Sequence, residues 1–379
     1  MSASPAINDS LEIHYALVSQ LLERFSRRSQ LMLLQLYSCY EAIFTDTDYP
    51  AEPEINALVQ DIRDQYAQGQ WQAQLEKILE AVASVDAAII PITSSDYPKQ
   101  LRQISDAPSV LYLRGNRGCL HLPQIAMVGS RRMTRGGEHN ALQWSQFLAE
   151  AGFGITSGLA MGIDGAAHRG ALQARTKANA GRTIAVMATG IDAVYPFRHR
   201  QLAEQVVESG GALVTEFPPG SQPLAARFPQ RNRIISGLSM GVLLIEAALK
   251  SGSLITARFA LEQNREIYAI PGSIHNPQSK GCHYLIKQGA ALVETPADIV
   301  AELQGPLAGM AALVPETTAD KTRSFTPEED ALLQAMGFEP VELDGLTQHF
   351  STAKLAQLLI SLELKGAVGC DHGLYQRLV

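Results

Sequence analysis

Cysteine is scarce and scattered in this 379-residue chain: Cys39, Cys119, Cys282 and Cys370, with no Cys-x-x-Cys pair and no histidine at zinc-finger spacing. That pattern excludes a disulfide framework and gives no support for a structural metal, leaving buried or idle thiols. Long apolar runs are missing too. No segment reaches the roughly 20 residues that cross a bilayer, and Met1 to Ser10 has neither the basic start nor the apolar stretch of a secretory signal, so a cytoplasmic protein with no membrane partner is expected. Neither GxxxxGK[ST] nor GxGxxG occurs, which removes support for nucleoside triphosphate hydrolysis and for a dinucleotide site. No internal repeat is evident.

What is present is an apolar content of 46%, enough to bury at least one large core over two or three domains. The formal net charge of −7 is unevenly spread. Residues 1–96 carry 5 Lys/Arg against 14 Asp/Glu, residues 97–304 carry 21 against 14, and residues 325–379 carry 3 against 8. A basic centre between acidic ends points to an anionic ligand at the centre, with flanks that limit non-specific binding or meet other proteins. The plain alternative is chance scatter.

From Leu11 to Ser84 apolar residues recur at helical spacing (Leu17, Leu21, Phe25; Leu75, Ile78, Val82), which predicts a small helical bundle. Ala87 to Thr93 reads as a strand. Beyond it, β-rich runs alternate with helical patterns: Ile125–Val128, Gly154–Thr156, Thr183–Ala188, Ala212–Thr215, Gly241–Ile245 and Ile267–Ile270. That rhythm predicts an α/β domain over 85–304, a doubly wound, mainly parallel sheet with helices on both faces. Its informative residues lie where strands end, the edge at which such folds bind ligands. Residues 305–324 read as a linker. Residues 325–379 fit three short helices and a hairpin around Asp371-His372-Gly373, a winged-helix outline.

Five strand-end constellations can carry chemistry. Gly129-Ser130-Arg131 offers backbone N–H groups and a guanidinium fork for phosphate, or a plain tight turn. In Ser157-Gly158 through Asp164 and His168, the glycines suit close packing, Asp164 can cap a helix, and a structural role outweighs catalysis. Gly190, then Arg198 and Arg200, place charge at a helix start or on a solvated face. Phe228-Pro229-Gln230-Arg231-Asn232-Arg233, with Arg227, interleaves an aromatic ring and arginines, the combination that stacks bases and holds phosphates. Phe228 can equally be core, and Arg231 or Arg233 can pair with Glu216 or Glu246. Lys250-Ser251-Gly252-Ser253 to Thr256 forms a second anion cradle at a helix start. Cys282 and His283 are sequence neighbours whose side chains need not meet, a poor nucleophilic pair.

Taken in order, these turns resemble the DNA-processing protein A family (DprA, also called Smf), over about 85–295. The carrying residues are Val128–Arg131, Ser157–His168, Gly190-Ile191-Asp192 with Tyr195-Pro196, Phe228–Ser239, Glu246-Ala247, Ser251–Ala257, Ala269–Gly272 and Gly281 with Gly289-Ala290. The resemblance implies an extended Rossmann-like fold, an N-terminal helical domain of sterile-alpha-motif type over 1–84 and a C-terminal winged helix. It implies a non-catalytic homodimer that binds and protects single-stranded DNA and helps load RecA onto strands covered by single-strand-binding protein, notably in natural transformation. The DNA-binding set it implies is Gly129, Ser130, Arg131, Ser157, Gly158, Gly190, Arg198, Arg200, Phe228, Arg231, Asn232, Arg233, Lys250, Ser251, Gly252, Ser253 and Thr256, with no cofactor and no metal. Two departures stand out: Phe197 and Arg198 occupy the segment where many members carry a lysine, leaving either Arg198 or Arg200 to take its part, and the acidic C-terminal unit is poorly suited to a duplex, so protein contact or regulation is expected there. The rival is a nucleotide-cleaving phosphoribohydrolase of the same broad superfamily. Such enzymes carry a PGGxGTxxE-like loop, and here Phe259 stands where its glutamate belongs.

Overall fold

A computed structural model of the chain describes residues 9–46, 52–174, 182–303, 325–338, 340–347, 350–371 and 373–378. The expected linker, 305–324, lies outside the described residues.

Five helices come first: α1 (Asp9–Leu21), α2 (Arg27–Tyr37), α3 (Tyr40–Thr45), α4 (Pro53–Gln68) and α5 (Gln72–Ser84). Their boundaries follow from local chemistry. Ser26 caps α2 by accepting the Ser29 N–H, and α4 starts on Pro53 and stops at Gly69 in the left-handed region, φ 69°. Leu17, Leu33, Ile43, Ile62, Ile78 and Val82 are buried between them and continue without a break into the core beneath the sheet.

The sheet has nine strands: β1 (Ala87–Pro91), then, after the one-turn α6 (Lys99–Arg102), β2 (Val110–Gly115), followed by β3 (Gln124–Val128), α7 (Arg135–Glu150), β4 (Gly154–Ser157), α8 (Ile163–Gln173), β5 (Thr183–Val186), α9 (Arg200–Glu208), β6 (Ala212–Thr215), α10 (Arg227–Leu238), β7 (Gly241–Leu244), α11 (Ser253–Glu262), β8 (Glu266–Ala269), α12 (Lys280–Ile286), β9 (Ala291–Leu292) and α13 (Pro296–Leu303). The strand order is β1-β2-β6-β5-β4-β3-β7-β8-β9, parallel from β6 to β9. The fold is therefore the expected α/β, doubly wound sheet, with an antiparallel extension. The expected rhythm omitted the short edge strand β9 and also β2, which pairs antiparallel with both β1 and β6 and joins the first strand to the parallel block.

Alternation along the strands sorts the helices between faces. Ile125 and Met127 of β3, with Leu243 of β7, pack against α7 and α8, whereas Ala126, Val128, Val242 and Leu244 face α10 and α11. The direction of strand succession reverses between β3 and β7. A crevice opens there at the carboxyl ends of the strands, as this topology requires.

The C-terminal unit comprises α14 (Pro327–Met336), β10 (Val341–Glu342), α15 (Leu343–Leu346), α16 (Thr352–Leu364), β11 (Val368–Asp371) and β12 (Leu374–Arg377), a winged helix with its own core of Leu332, Leu355, Leu359 and Leu362. Thr326 and Glu329 close a reciprocal capping box at the start of α14.

Candidate nucleic-acid interface

The crevice encloses about 680 Å³. One wall is the turn after β3, Gly129 to Arg132. The other is the stretch from Lys250 to Thr256 that opens α11. Its roof is the first turns of α10, with Phe228, Arg231 and Asn232 on the cavity side.

The β3 turn is held from both sides. At Gly162 (φ 81°) a Cβ would fall 2.2 Å from the Ser130 carbonyl oxygen, so only glycine permits the close approach of the two turns, closed by the Ile163 N–H donating to Ser130 O at 3.1 Å. Thr134 caps α7, and its own N–H (2.9 Å) and hydroxyl (2.5 Å) both donate to the Glu246 carboxylate at the end of β7. Burial pushes the Glu246 carboxyl up and the Thr134 bonds pull it back. Glu246 thus fastens the two walls together rather than facing a ligand. Arg131 is left exposed, its guanidinium carbon 5.7 Å from the centre of the Phe228 ring.

Arg231 and Arg233 meet different fates, because α10 turns about 100° per residue and residues two apart point to nearly opposite sides. Arg231 is buried at the back of the crevice. Its Nη1 donates to the carbonyl oxygens of Gly158 (2.6 Å) and Val186, tying the ends of β4 and β5 to α10. Burial holds its guanidinium down to about 10 against the attraction of Asp164. A Cβ at Gly158 would lie 2.6 Å from that guanidinium. Asp164, in the first turn of α8, accepts the Gly158 N–H at 3.1 Å; it stands inside the helix rather than capping it, since Gly162 holds the cap position. Arg233 does not reach the crevice. Its guanidinium is buried on the far side, 2.5 Å from Glu216 and 2.9 Å from Asp106, in a cluster that Arg27 of α2 joins.

The other expected residues divide similarly. Gly129, Ser130, Lys250, Ser251, Gly252, Ser253 and Thr256 line the crevice. Ser157 is buried and donates to Met127 O, and Gly190 is buried with its N–H on Ser221 O; both support the strand ends from behind. Arg198 and Arg200 are exposed outside the crevice, Arg200 beside a neighbouring hollow lined also by Arg114, Phe197 and Glu204. Sequence reasoning missed Arg132 and Gln278, which line the crevice. Arg132 adjoins the recognised turn and was legible; Gln278 arrives from the loop before α12 through the fold alone.

Cys282 and His283 do not form a nucleophilic pair. Burial pushes the Cys119 and Cys282 thiols up to about 12, the Cys282 sulfur lies against the Leu244 and Ile245 carbonyls, and His283 turns instead to Gly272 O at 2.9 Å. Among the described residues no three His, Cys, Asp or Glu side chains gather as metal ligands, and no helix is long and apolar enough to cross a membrane.

Comparison with known proteins places the fold among named relatives. Protein Smf of Escherichia coli is 44% identical over 299 residues, spanning 76% of this chain and 77% of that protein. The DNA processing protein DprA of Streptococcus pneumoniae is 45% identical over 208 residues, 55% of this chain and 71% of the relative. The crystal structure of DNA processing protein A from Streptococcus pneumoniae superposes with TM-score 0.64 and 35% identity, covering 80% of this chain and 99% of that one. The Helicobacter pylori protein, solved for its single-stranded DNA binding mode, gives TM-score 0.51 and 26% identity over 58% of this chain and 96% of its own. The profile of the DprA winged helix domain matches residues 315–373, and that of DNA recombination-mediator protein A matches residues 88–304. With more than half of its length under that second profile, the chain belongs to the DNA recombination-mediator protein A family.

Proposed function

We propose that this protein is a cytoplasmic, non-catalytic mediator of recombination that binds and protects incoming single-stranded DNA in its β3–β7 crevice and helps RecA replace single-strand-binding protein on the strand. The observation that carries the reading is Arg131 lying over Phe228 at the mouth of a crevice walled by glycine turns and a helix start. Backbone N–H groups and the guanidinium suit phosphates, and the ring suits a base. Of the expected set, Gly129, Ser130, Arg131, Phe228, Asn232, Lys250, Ser251, Gly252, Ser253 and Thr256 are the contacts. Arg231, Ser157, Gly158 and Gly190 support them, and Arg233 secures the N-terminal bundle. The Helicobacter pylori relative supports the choice of ligand.

Nothing favours the phosphoribohydrolase reading: Phe259 occupies the place of the expected glutamate, and the nearby Glu246 is committed to Thr134. A homodimer has support in a second hollow of about 1010 Å³ beside α11 and α12, edged by exposed Leu249, Leu261 and Tyr284, an apolar surface suited to a second copy of the chain. The acidic winged helix fits a protein contact better than a duplex.

The test is a gel-shift series on oligo-dT and on duplex, with the wild type, Arg131→Ala and Phe228→Ala. Single strands should be preferred, and both variants should lose affinity. Equal binding of duplex, or full affinity in both variants, defeats the reading.

A further inference from the structure

Two glycines stand together in the first turn of α7, Gly136 and Gly137, although glycine is a poor helix former. The second is explained within the α/β unit: a Cβ at Gly137 would lie 2.5 Å from the Glu246 carboxyl carbon. The first answers to the winged helix. A Cβ at Gly136 would lie 3.2 Å from Nε2 of Gln376, a residue of β12. Gln376 pairs across the hairpin with Gly369 of β11, so the two emerge on one face of it. A Cβ at Gly369 would in turn lie 3.5 Å from the Cβ of Arg135, the residue that opens α7. The β11–β12 hairpin, the wing, therefore straddles the first turn of α7, with Gly369 over Arg135 and Gln376 over Gly136.

That turn adjoins the rim of the crevice. Arg131 and Arg132 line the crevice, and with Arg135 they make three exposed arginines within five residues. Arg135 comes three residues after Arg132, so their backbones lie within about 11 Å of each other, about one Debye length at 0.1 M salt. The unit seated there, residues 325–379, carries 3 Lys/Arg against 8 Asp/Glu. Lys354 and Lys365 are already paired, with Glu328 and Glu329, while Asp330, Glu342, Asp344 and Glu363 are exposed carboxylates. A negative body docked so close to the rim lowers the potential that draws phosphates to Arg131 and Arg132.

We propose that the docked wing is a releasable brake on strand binding: the contact of Gly369 and Gln376 with the first turn of α7 holds the acidic winged helix against the basic rim, and lifting it raises the affinity for single-stranded DNA. This rests on the reading of the β3–β7 crevice as the single-strand site. Coupling of this kind is reciprocal, so a bound strand loosens the wing by the same factor by which the wing weakens the strand. A protein that takes the winged helix off α7 thereby turns strand binding up.

The experiment compares a locked and a lifted wing in the full chain. The Cβ separation of 3.5 Å suits a disulfide, so Arg135→Cys with Gly369→Cys, in a Cys370→Ser background, locks the wing when oxidised and frees it when reduced. Gly369→Trp, carried with Arg135→Cys and Cys370→Ser so that the charge is the same, lifts the wing by bulk. The lifted protein should bind oligo-dT about 3- to 30-fold more tightly than the oxidised pair at about 0.01 M salt, where the Debye length is about 30 Å, and the gap should close at about 1 M, where it is about 3 Å. The reduced pair should fall between them. Oligo-dT should also slow formation of the disulfide, a readout that needs no lifted variant. Equal affinity of the lifted and locked proteins at low salt, tighter binding by the locked one, a gap that salt leaves unchanged, or an unaltered rate of disulfide formation would each overturn the brake, provided that Phe228→Ala loses affinity. Full affinity in Phe228→Ala would instead overturn the crevice reading and the brake with it.

Discussion

Arg27 and Glu216 stand 189 residues apart in the chain and meet at 2.6 Å, with the same carboxylate oxygen of Glu216 also 2.5 Å from Arg233. Glu216 closes β6, Arg27 opens α2, and Arg233 belongs to α10, so one buried carboxylate fastens the helical bundle, the sheet and the helix that roofs the crevice together. Burial raises the Glu216 carboxyl and the two arginines oppose it. Replacing Arg233 with alanine leaves that carboxylate to Arg27 alone, a loss of about 1.5–3 kcal/mol for one hydrogen bond to a charged group. Urea unfolding should show it. A variant with wild-type stability and lost DNA affinity would return Arg233 to the binding surface.

Arg131→Ala should behave in the opposite way. The side chain is exposed and, among the described residues, outside any ion pair, so the unfolding midpoint should hardly move. Single-strand affinity should fall, and the slope of log affinity against log salt should flatten by about 0.7, one phosphate's share. An unchanged slope would mean that Arg131 touches no phosphate.

Arg231→Met separates support from contact inside the crevice. The methionine fills comparable space but abandons the Gly158 and Val186 carbonyls and leaves Asp164 buried without its cation. Unfolding should become easier by about 3 kcal/mol or more. Stability equal to wild type in thermal melts would show that Asp164 is satisfied by other means.

Gly252 precedes the first turn of α11 at φ −62° and ψ −21°, a conformation open to any residue, and a Cβ there meets nothing within 4 Å. Gly252→Ala should therefore stabilise the fold by about 0.4–1 kcal/mol through the unfolded state. Gly252 lines the crevice, so under the proposed single-strand reading DNA affinity should drop several-fold in the gel shift. A stabilised protein with undiminished affinity would place the strand elsewhere on the crevice wall.

His168 supplies a pH dependence. Thr183 spends its one hydroxyl proton on Ile155 O at 2.8 Å, so it accepts from Nδ1 of His168 at 2.7 Å, and Nε2 is a buried lone pair with no partner. Burial holds the ring down to about 3, far below the 6.5 of an unfolded histidine. The unfolded chain then binds a proton that the native state refuses, so stability present above pH 6.5 is lost progressively as pH falls toward 3. His168→Gln should flatten that part of the stability profile, read as melting temperature against pH. An unchanged slope would assign the acid sensitivity to other groups.

The parallel strands β3 to β8 were legible because most are short apolar runs closed by glycine or a small polar residue, as Gln124–Val128 before Gly129 shows, whereas the two-residue β9 was too short to stand out. The second strand, Val110–Gly115, was missed although it too is a short apolar run closed by glycine; what the sequence leaves unmarked is its pairing, antiparallel with β1 and with β6 about a hundred residues on. The crevice walls were readable for the same reason as the strands, since they are the turns that close them. The arginine-rich segment misled because it was read as a line, whereas on a helix Phe228, Arg231 and Asn232 share a side that excludes Arg233. Helical periodicity applied to 227–238 would have separated them. The capture of Glu246 by Thr134 was beyond reach, because 112 residues separate the partners.

The walls of the crevice hang from β3 and β7, strands adjacent in space whose following helices leave on opposite faces of the sheet. Everything between them in sequence, from α7 through α10, must fold before the second wall can stand beside the first. A nascent chain that has released Arg131 from the ribosome thus owns one wall of the crevice, and the crevice has no second wall until α11 has followed β7 into place.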